Sequence, residues 1–410
     1  MRLTVRFDMA DHATGWGLVP TTGAPAAGPG PGGPIEAGAG AGVGWGPISV
    51  TAMERLGLVG LPNAGKTSLF NALTGARAPV ATHPFTTTET SVAVAPLPDA
   101  RLDALSAMSA SRKTVRAGVE VVDIAGLVPG ASAGEGLGNR FLAGIREVDA
   151  LCMVLRAFAD DEVPGDTDPV EALAVLELEL VLADLGTVES QLDKRRKAAR
   201  ADKSLAGQVT AMEKAQQALA DGVPLYRAGM DAATRHELHG LFLLTDKPVL
   251  AVVNLGEDDL GRADELAGAV VGALEGHGEA LGVCVQLEAE AAQLAPDERA
   301  ELLEGLGLGE GALARVARGA YHLLGRRVFF TTGDKESRAW SFRAGASAAE
   351  CAGVIHSDLQ RGFIRAEVIH WDELLELGSW AKAKAAGRLR LEGRDYEVAD
   401  GDVLEIRFNV

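Results

Sequence analysis

The chain has 410 residues, 47% of them hydrophobic and 23% charged, with a formal net charge of −18. That length allows about two or three domains with a sizeable core. No uninterrupted apolar run is long enough to span a bilayer, and the negative charge argues against broad nonspecific binding to nucleic acid, so neither a membrane protein nor a sequence-specific DNA-binding protein is expected.

Residues 1–52 read as a Gly/Ala/Pro-rich extension. The stretch Thr22 to Gly46 has almost nothing to bury and is expected to be disordered. It lacks the Arg-rich start of a transit peptide and the apolar core of a signal peptide. Met53 is a candidate start of the functional protein.

A short apolar run, Leu56-Gly57-Leu58-Val59, reads as a buried parallel strand. It leads into Gly60-Leu61-Pro62-Asn63-Ala64-Gly65-Lys66-Thr67, which has the pattern G-x-x-x-x-G-K-[ST]. Ser68 to Leu73 then reads as the first turns of a helix. Strand, glycine loop and helix are the context of a phosphate-binding loop. Gly60 and Gly65 let successive N–H groups of Asn63, Ala64, Gly65, Lys66, Thr67 and Ser68 face one anion. The helix start adds partial positive charge, Lys66 reaches the terminal phosphates, and the Thr67 hydroxyl can hold Mg2+.

Phe85-Thr86-Thr87-Thr88 offers hydroxyls for a loop that orders around a γ-phosphate and Mg2+, with Thr87 as a candidate metal ligand. Glu120 to Ile124 reads as a strand ending in D-x-x-G. There Asp123 can hold Mg2+ through water, and the Gly126 N–H can contact the last phosphate. Ala150 to Leu155 and Pro248 to Asn254 are further buried strands, so a parallel sheet with helices on both faces is expected.

Between them Leu173, Leu176, Leu180, Val188 and Leu192 recur mostly at helical spacing, and Leu205, Val209, Met212 and Leu219 repeat the pattern. Two long antiparallel helices inserted into the nucleotide domain follow from this. The basic stretch Lys194-Arg195-Arg196-Lys197 lies near their joint and reads equally as a solvated face or as a contact for RNA or protein. After Leu308 the texture changes again. Strands at Val328–Thr331, Arg338–Phe342, Ala366–Ile369, Arg388–Leu391 and Val403–Phe408, with a helix at Ala348–Ile355, suggest a small ubiquitin-like mixed sheet around one helix. Nothing in it looks catalytic, so it reads as a docking module whose removal spares nucleotide binding. Cys152, Cys284 and Cys351 are far apart and odd in number, consistent with inert thiols in a reducing cytoplasm.

The segments Gly57 to Thr67, His83 to Thr87, Val122 to Val128, Gly134 to Asn139, Ile145 to Ala150 and Gly353 to Asp358 together resemble the Obg-like ATPase (YchF) family, in order along the chain from about Arg55. The resemblance implies an α/β P-loop NTPase fold with a doubly wound, mostly parallel sheet, an inserted antiparallel helical hairpin and a C-terminal β-grasp (TGS) domain. The implied division is an OBG-type G domain at 53–170 and 225–326, the hairpin at 171–224 and the TGS domain at 327–410. It further implies a cytoplasmic ATPase that associates with ribosomes, the large subunit in particular, through the TGS domain and the hairpin.

GTPases of this fold read guanine with N-K-x-D, whereas here the segment is Asn254-Leu255-Gly256-Glu257. The longer Glu257 carboxylate is misplaced for guanine. By similarity Leu255 borders the adenine and Asn254 supports the pocket. Asn63 resembles relatives that use K+ as an extra cation. Leu127 stands where many relatives place a water-orienting Gln, and the loop after Arg156-Ala157-Phe158 lacks the family's His. Slow basal hydrolysis, resting on Lys66, Asp123, Gly126 and Mg2+, is the expectation. Two alternatives stay open: an Obg-class GTPase, and a nucleotide-sensing ribosome-binding module with incidental hydrolysis.

Overall fold

Apolar runs with few polar interruptions become the central strands of a six-stranded sheet. The computed structural model describes residues 54–76, 78, 90–124, 137–160, 166–306 and 308–409, apart from the side chains of 137–140 and 296. The extension at 1–52, Thr87, Gly126 and Leu127 lie outside the described residues. The chain runs from β1 (Arg55–Val59) through a loop to α1 (Lys66–Thr74), then β2 (Ser91–Pro96), α2 (Ala100–Met108), a two-residue β3 (Thr114–Val115) and β4 (Gly118–Asp123). It continues with α3 (Leu137–Arg146) and β5 (Ala150–Arg156). After an insertion of α4 (Pro169–Ala199), α5 (Ala206–Ala220) and α6 (Ala232–Leu238) come β6 (Val249–Asn254), α7 (Ala263–Ala273) and β7 (Glu279–Val283). The strand order is β2-β4-β1-β5-β6-β7. All neighbours are parallel except β2, which runs antiparallel along β4 at the edge. Strands β5 and β6 are buried at every position, as expected for strands covered on both faces.

Asp168 starts α4 by accepting the Val170 and Glu171 N–H groups, and Pro169 occupies the first turn where no N–H partner is needed. The near half of α4 (Leu173, Leu176, Leu180) belongs to the core of the sheet domain. The far half (Val181, Val188, Leu192) packs with Met212, Ala215 and Leu219 of α5 and Leu238 of α6. The expected hairpin therefore carries a third helix. Buried Asp184 ties it down, accepting the Leu244 and Thr245 N–H groups at 2.9 and 2.8 Å and the Thr245 hydroxyl at 2.7 Å. Buried Glu177 accepts from the Tyr226 hydroxyl and, at 2.9 Å, from Arg227.

The chain then forms α8 (Val285–Ala291), α9 (Pro296–Gly305) and α10 (Ala312–Leu323) before a second sheet. Its elements are β8 (Arg326–Thr331), β9 (Ser337–Arg343), α11 (Ala348–Ile355), α12 (Ser357–Arg361) and β10 (Phe363–His370). There follow α13 (Trp371–Leu377), α14 (Trp380–Ala385), β11 (Arg390–Glu392) and β12 (Asp402–Phe408). One face packs on α11 through Phe329, Trp340, Phe342, Val368 and Leu404, as the sequence suggests.

The other face carries the finding that the sequence did not foreshadow. Val328, Phe330, Ala339, Ile369 and Val403 share one core with Leu102 and Leu105 of α2, Ala317 and Tyr321 of α10 and Leu374 of α13. The sheet order is β11-β10-β12-β8-β9-β3, so a strand from the amino-terminal third completes the C-terminal sheet. Thr114 pairs with Ser337 and Val115 with Arg338, in parallel. Hydroxyl contacts reinforce the seam, Ser109 to Thr332 at 2.7 Å and Ser111 to the Gly333 carbonyl at 2.6 Å. The Arg101 guanidinium donates to Asp400 at 2.8 Å and lies 5.3 Å from the centre of the Phe330 ring.

Candidate nucleotide-binding site

The loop between β1 and α1 has the geometry its glycines predict. A side chain at Gly60 would sit 2.5 Å from the Val154 carbonyl oxygen. Gly65 has φ +92°, and a Cβ there would come within 2.3 Å of the Asn254 amide nitrogen. Asn63 also holds a left-handed backbone, φ +62°. Among the described residues no side chain caps the start of α1, whose first N–H groups are left to the mouth of the loop, with their share of the helix dipole. Ala64 is buried, and Ser68 is half-buried in the first turn.

Lys66 lies inside this curl. Its ammonium donates to the Gly60 and Leu61 carbonyls at 3.1 and 2.9 Å. Burial lowers its pKa to about 8, against the attraction of Asp123. An adjacent phosphate would favour the charged form again. The Thr67 hydroxyl donates to Asp123 at 2.7 Å. Asp123 is 1% exposed, and its second carboxylate oxygen is buried with no hydrogen-bond partner among the described residues. Burial raises its pKa, opposed by the Thr67 hydrogen bond and by Lys66. A hydroxyl beside a buried carboxylate with an unsatisfied oxygen is a hard-oxygen donor set, and it fits Mg2+.

Asn254 ends β6 and joins the loops. Its amide donates to the Ala64 carbonyl at 3.0 Å and accepts the Val285 N–H at 3.2 Å. Both ends of that side chain are thus engaged with backbone. The Leu255 side chain is 2% exposed and packs in the main core, while its N–H donates to the Val283 carbonyl. Glu257 is exposed at the start of a short 3-10 helix, Glu257–Arg262.

Sequence reasoning used Arg156-Ala157-Phe158 only as a landmark. In the structure this segment stands beside the Asn254–Glu257 loop, because β5 and β6 pair up to Arg156 and Asn254. A Cβ on Gly256 would lie 3.7 Å from the Phe158 Cβ. An arginine closing a strand that is otherwise wholly apolar was the available signal.

A phosphate loop after β1, a Thr–Asp pair beside it and an Asn staple from β6 define a P-loop nucleotide-binding domain of the G-domain class. Residues 55–183 match a family model described as 50S ribosome-binding GTPase. Residues 327–409 match the YchF GTPase C-terminal model, described as "Protein of unknown function (DUF933)". The chain is 43% identical over 361 residues to the ribosome-binding ATPase YchF of Bacillus subtilis, covering 86% of this chain and 99% of that one. It is 41% identical over 369 residues to the protein of the same name from Escherichia coli O157:H7, covering 87% and 99%. The structure of the Schizosaccharomyces pombe YchF GTPase superposes with a TM-score of 0.76 at 30% identity, covering 88% of this chain and 100% of that one. The chain belongs to the YchF family.

Proposed function

We propose that this protein binds and slowly hydrolyses ATP with Mg2+ and acts as a ribosome-associated switch in the cytoplasm. The observation that carries the reading is an intact phosphate loop, with Lys66 and the Thr67–Asp123 pair, in a chain 43% identical to a relative named as a ribosome-binding ATPase. Among the described residues no helix is long and apolar enough to cross a membrane.

The phosphates lie along the N–H groups of Asn63 to Ser68, and Lys66 exchanges its contacts with Gly60 and Leu61 for phosphate oxygens. Thr67 and Asp123 would hold Mg2+, with Thr87 as the expected further ligand; when bound, Mg2+ neutralises phosphate charge. Gly126 is the expected N–H donor to the last phosphate, and Asn63 the expected link to K+. The base takes the space beside Phe158, Gly256 and Glu257. Glu257 in place of the guanine-reading Asp favours ATP. The word GTPase in the name of the fission-yeast structure keeps the GTP reading alive.

Ribosome contact is assigned to the C-terminal domain and to the far end of the insertion. Lys194, Arg196, Lys197, Arg200 and Lys203 are exposed at that end, in a protein of net charge −18. With Asp193, Asp202 and Glu213 among them, and Arg196 paired to Glu213 at 2.8 Å, the tip keeps a positive excess that suits phosphate-rich RNA of the large subunit. Single-turnover ATP and GTP hydrolysis by the full chain and by Lys66→Ala, with and without ribosomes, tests the whole. Slow ATP turnover that ribosomes accelerate and Lys66→Ala abolishes is expected. Unchanged ATP affinity in the variant refutes the site, and tenfold tighter GTP binding (about 1.4 kcal/mol) refutes the adenine assignment.

A further inference from the structure

We propose that the outward face of the near half of α4 is a docking strip for a basic amphipathic helix, carried by a protein of the ribosome. The inference rests on the ribosome-associated reading above. In residues 169–185 of α4 the only polar side chains are Glu171, Glu177, Glu179 and Asp184. A helix that is apolar all round belongs inside a protein. Here one side of it is open, and the usual polarity is reversed. Glu177, Glu179 and Asp184 are buried, whereas Leu178 is 54% exposed and Leu182 45% exposed. Two of the buried carboxylates have structural work, Glu177 with Arg227 and Asp184 with the Leu244 and Thr245 N–H groups. The two leucines have none inside the domain.

At 3.6 residues per turn, Glu171, Val175, Leu178, Leu182, Leu185 and Glu189 fall within one strip of the helix surface. Val175 and Leu185 are half-buried, and Glu171 and Glu189 are exposed. From Val175 to Leu185 the apolar part is about 15 Å long at 1.5 Å per residue, enough for about three turns of a partner helix. The ends of the strip point to the occupant. A carboxylate closes it on either side, and α4 has no basic residue before Lys194. A helix that sets apolar side chains on Leu178 and Leu182, and Lys or Arg against Glu171 and Glu189, complements both features. Phosphate-rich RNA would meet like charge here, unlike at the basic tip beyond Lys194. A second copy paired antiparallel across the strip would set Glu171 of one chain against Glu189 of the other, in a protein of net charge −18.

Leu178→Gln combined with Leu182→Gln removes the apolar contact and keeps good helix formers in place. Co-sedimentation of the full chain with ribosomes should then weaken by about tenfold or more. Melting temperature, ATP affinity and binding to naked ribosomal RNA should stay as in the parent protein. Glu189→Lys should also weaken sedimentation, whereas a contact with RNA would be tightened by it. A photoreactive benzophenone side chain at position 178 should cross-link to a basic ribosomal protein. Parental sedimentation of the double Gln variant, tighter sedimentation of Glu189→Lys, or cross-links to ribosomal RNA or to a second copy would each overturn the proposal. A melting temperature several degrees lower in the double variant would do so too, because the leucines would then serve the protein's own core. A parent protein that does not sediment with ribosomes would instead sink the ribosomal reading itself, and the docking strip with it.

Discussion

The insertion and the C-terminal domain occupy opposite kinds of place in the chain and in the fold. The insertion interrupts the nucleotide domain, yet the far half of α4, with α5 and α6, has its own core, and polar ties such as Asp184 anchor it below. The C-terminal domain is appended after the nucleotide domain is finished, yet its sheet borrows β3 and its core includes α2 and α10. Position in sequence is therefore a poor guide to independence. What decides independence is whether apolar faces close on themselves or on a neighbour.

The largest expected effect breaks this comparison at its base. Deleting residues 327–410 would uncover Leu102, Leu105, Ala317 and Tyr321, all buried in the shared core. We expect the truncated protein to aggregate or to lose cooperative unfolding, with nucleotide binding impaired, contrary to the expectation from sequence of a removable module. A truncated protein that melts sharply and binds ATP at parental affinity would show that the shared core is dispensable. Next comes Phe330→Ala, which empties a fully buried site in that core. It should cost about 3–5 kcal/mol and shift a single urea transition seen equally by probes in both domains. Two separated transitions would mean that the domains unfold independently.

The insertion offers the counterpart. Met212→Ala, at an equally buried site, should cost about 2–5 kcal/mol, but within the three-helix unit alone. Hydrogen exchange should rise in α5 and α6 while ATP affinity holds. Equal loss of protection in β5 and β6 would erase the distinction drawn here. The smallest effect belongs to Arg101→Ala, which removes the contacts to Asp400 and Phe330. Arg101 and Asp400 are both partly exposed, so solvent screening limits the loss to about 1 kcal/mol. A midpoint shift several times larger would point to a more deeply shared seam than the static contacts suggest.

Much of the nucleotide domain was legible because its signals are local. The phosphate loop is a contiguous pattern, and β1, β4, β5 and β6 are contiguous apolar runs. The Leu173–Leu192 repeat announced a long helix, and Ala348–Ile355 was a short one bounded by Ser347 and His356. The misses are of a different kind. Strand β3 has two residues and pairs across more than two hundred others, which no periodicity can register. Helices α13 and α14, of seven and six residues, are too short for a helical repeat to show. Phe158 lay in plain view, but only pairing of β5 with β6 shows which loop it adjoins.

The seam between β3 and β9 also sets an order of events on the ribosome that makes this protein. Thr114 is synthesised 223 residues before its partner Ser337, the difference of their numbers. At translation rates of about 5–20 residues per second, that gap is on the order of ten to forty seconds. Throughout that time Leu102 and Leu105 have no permanent cover, although the phosphate loop downstream of β1 is already out of the exit tunnel. The nascent nucleotide domain must wait for the last fifth of the chain before its own surface is closed. Chaperone dependence during synthesis, rather than after release, is where the cost of this shared core should be felt.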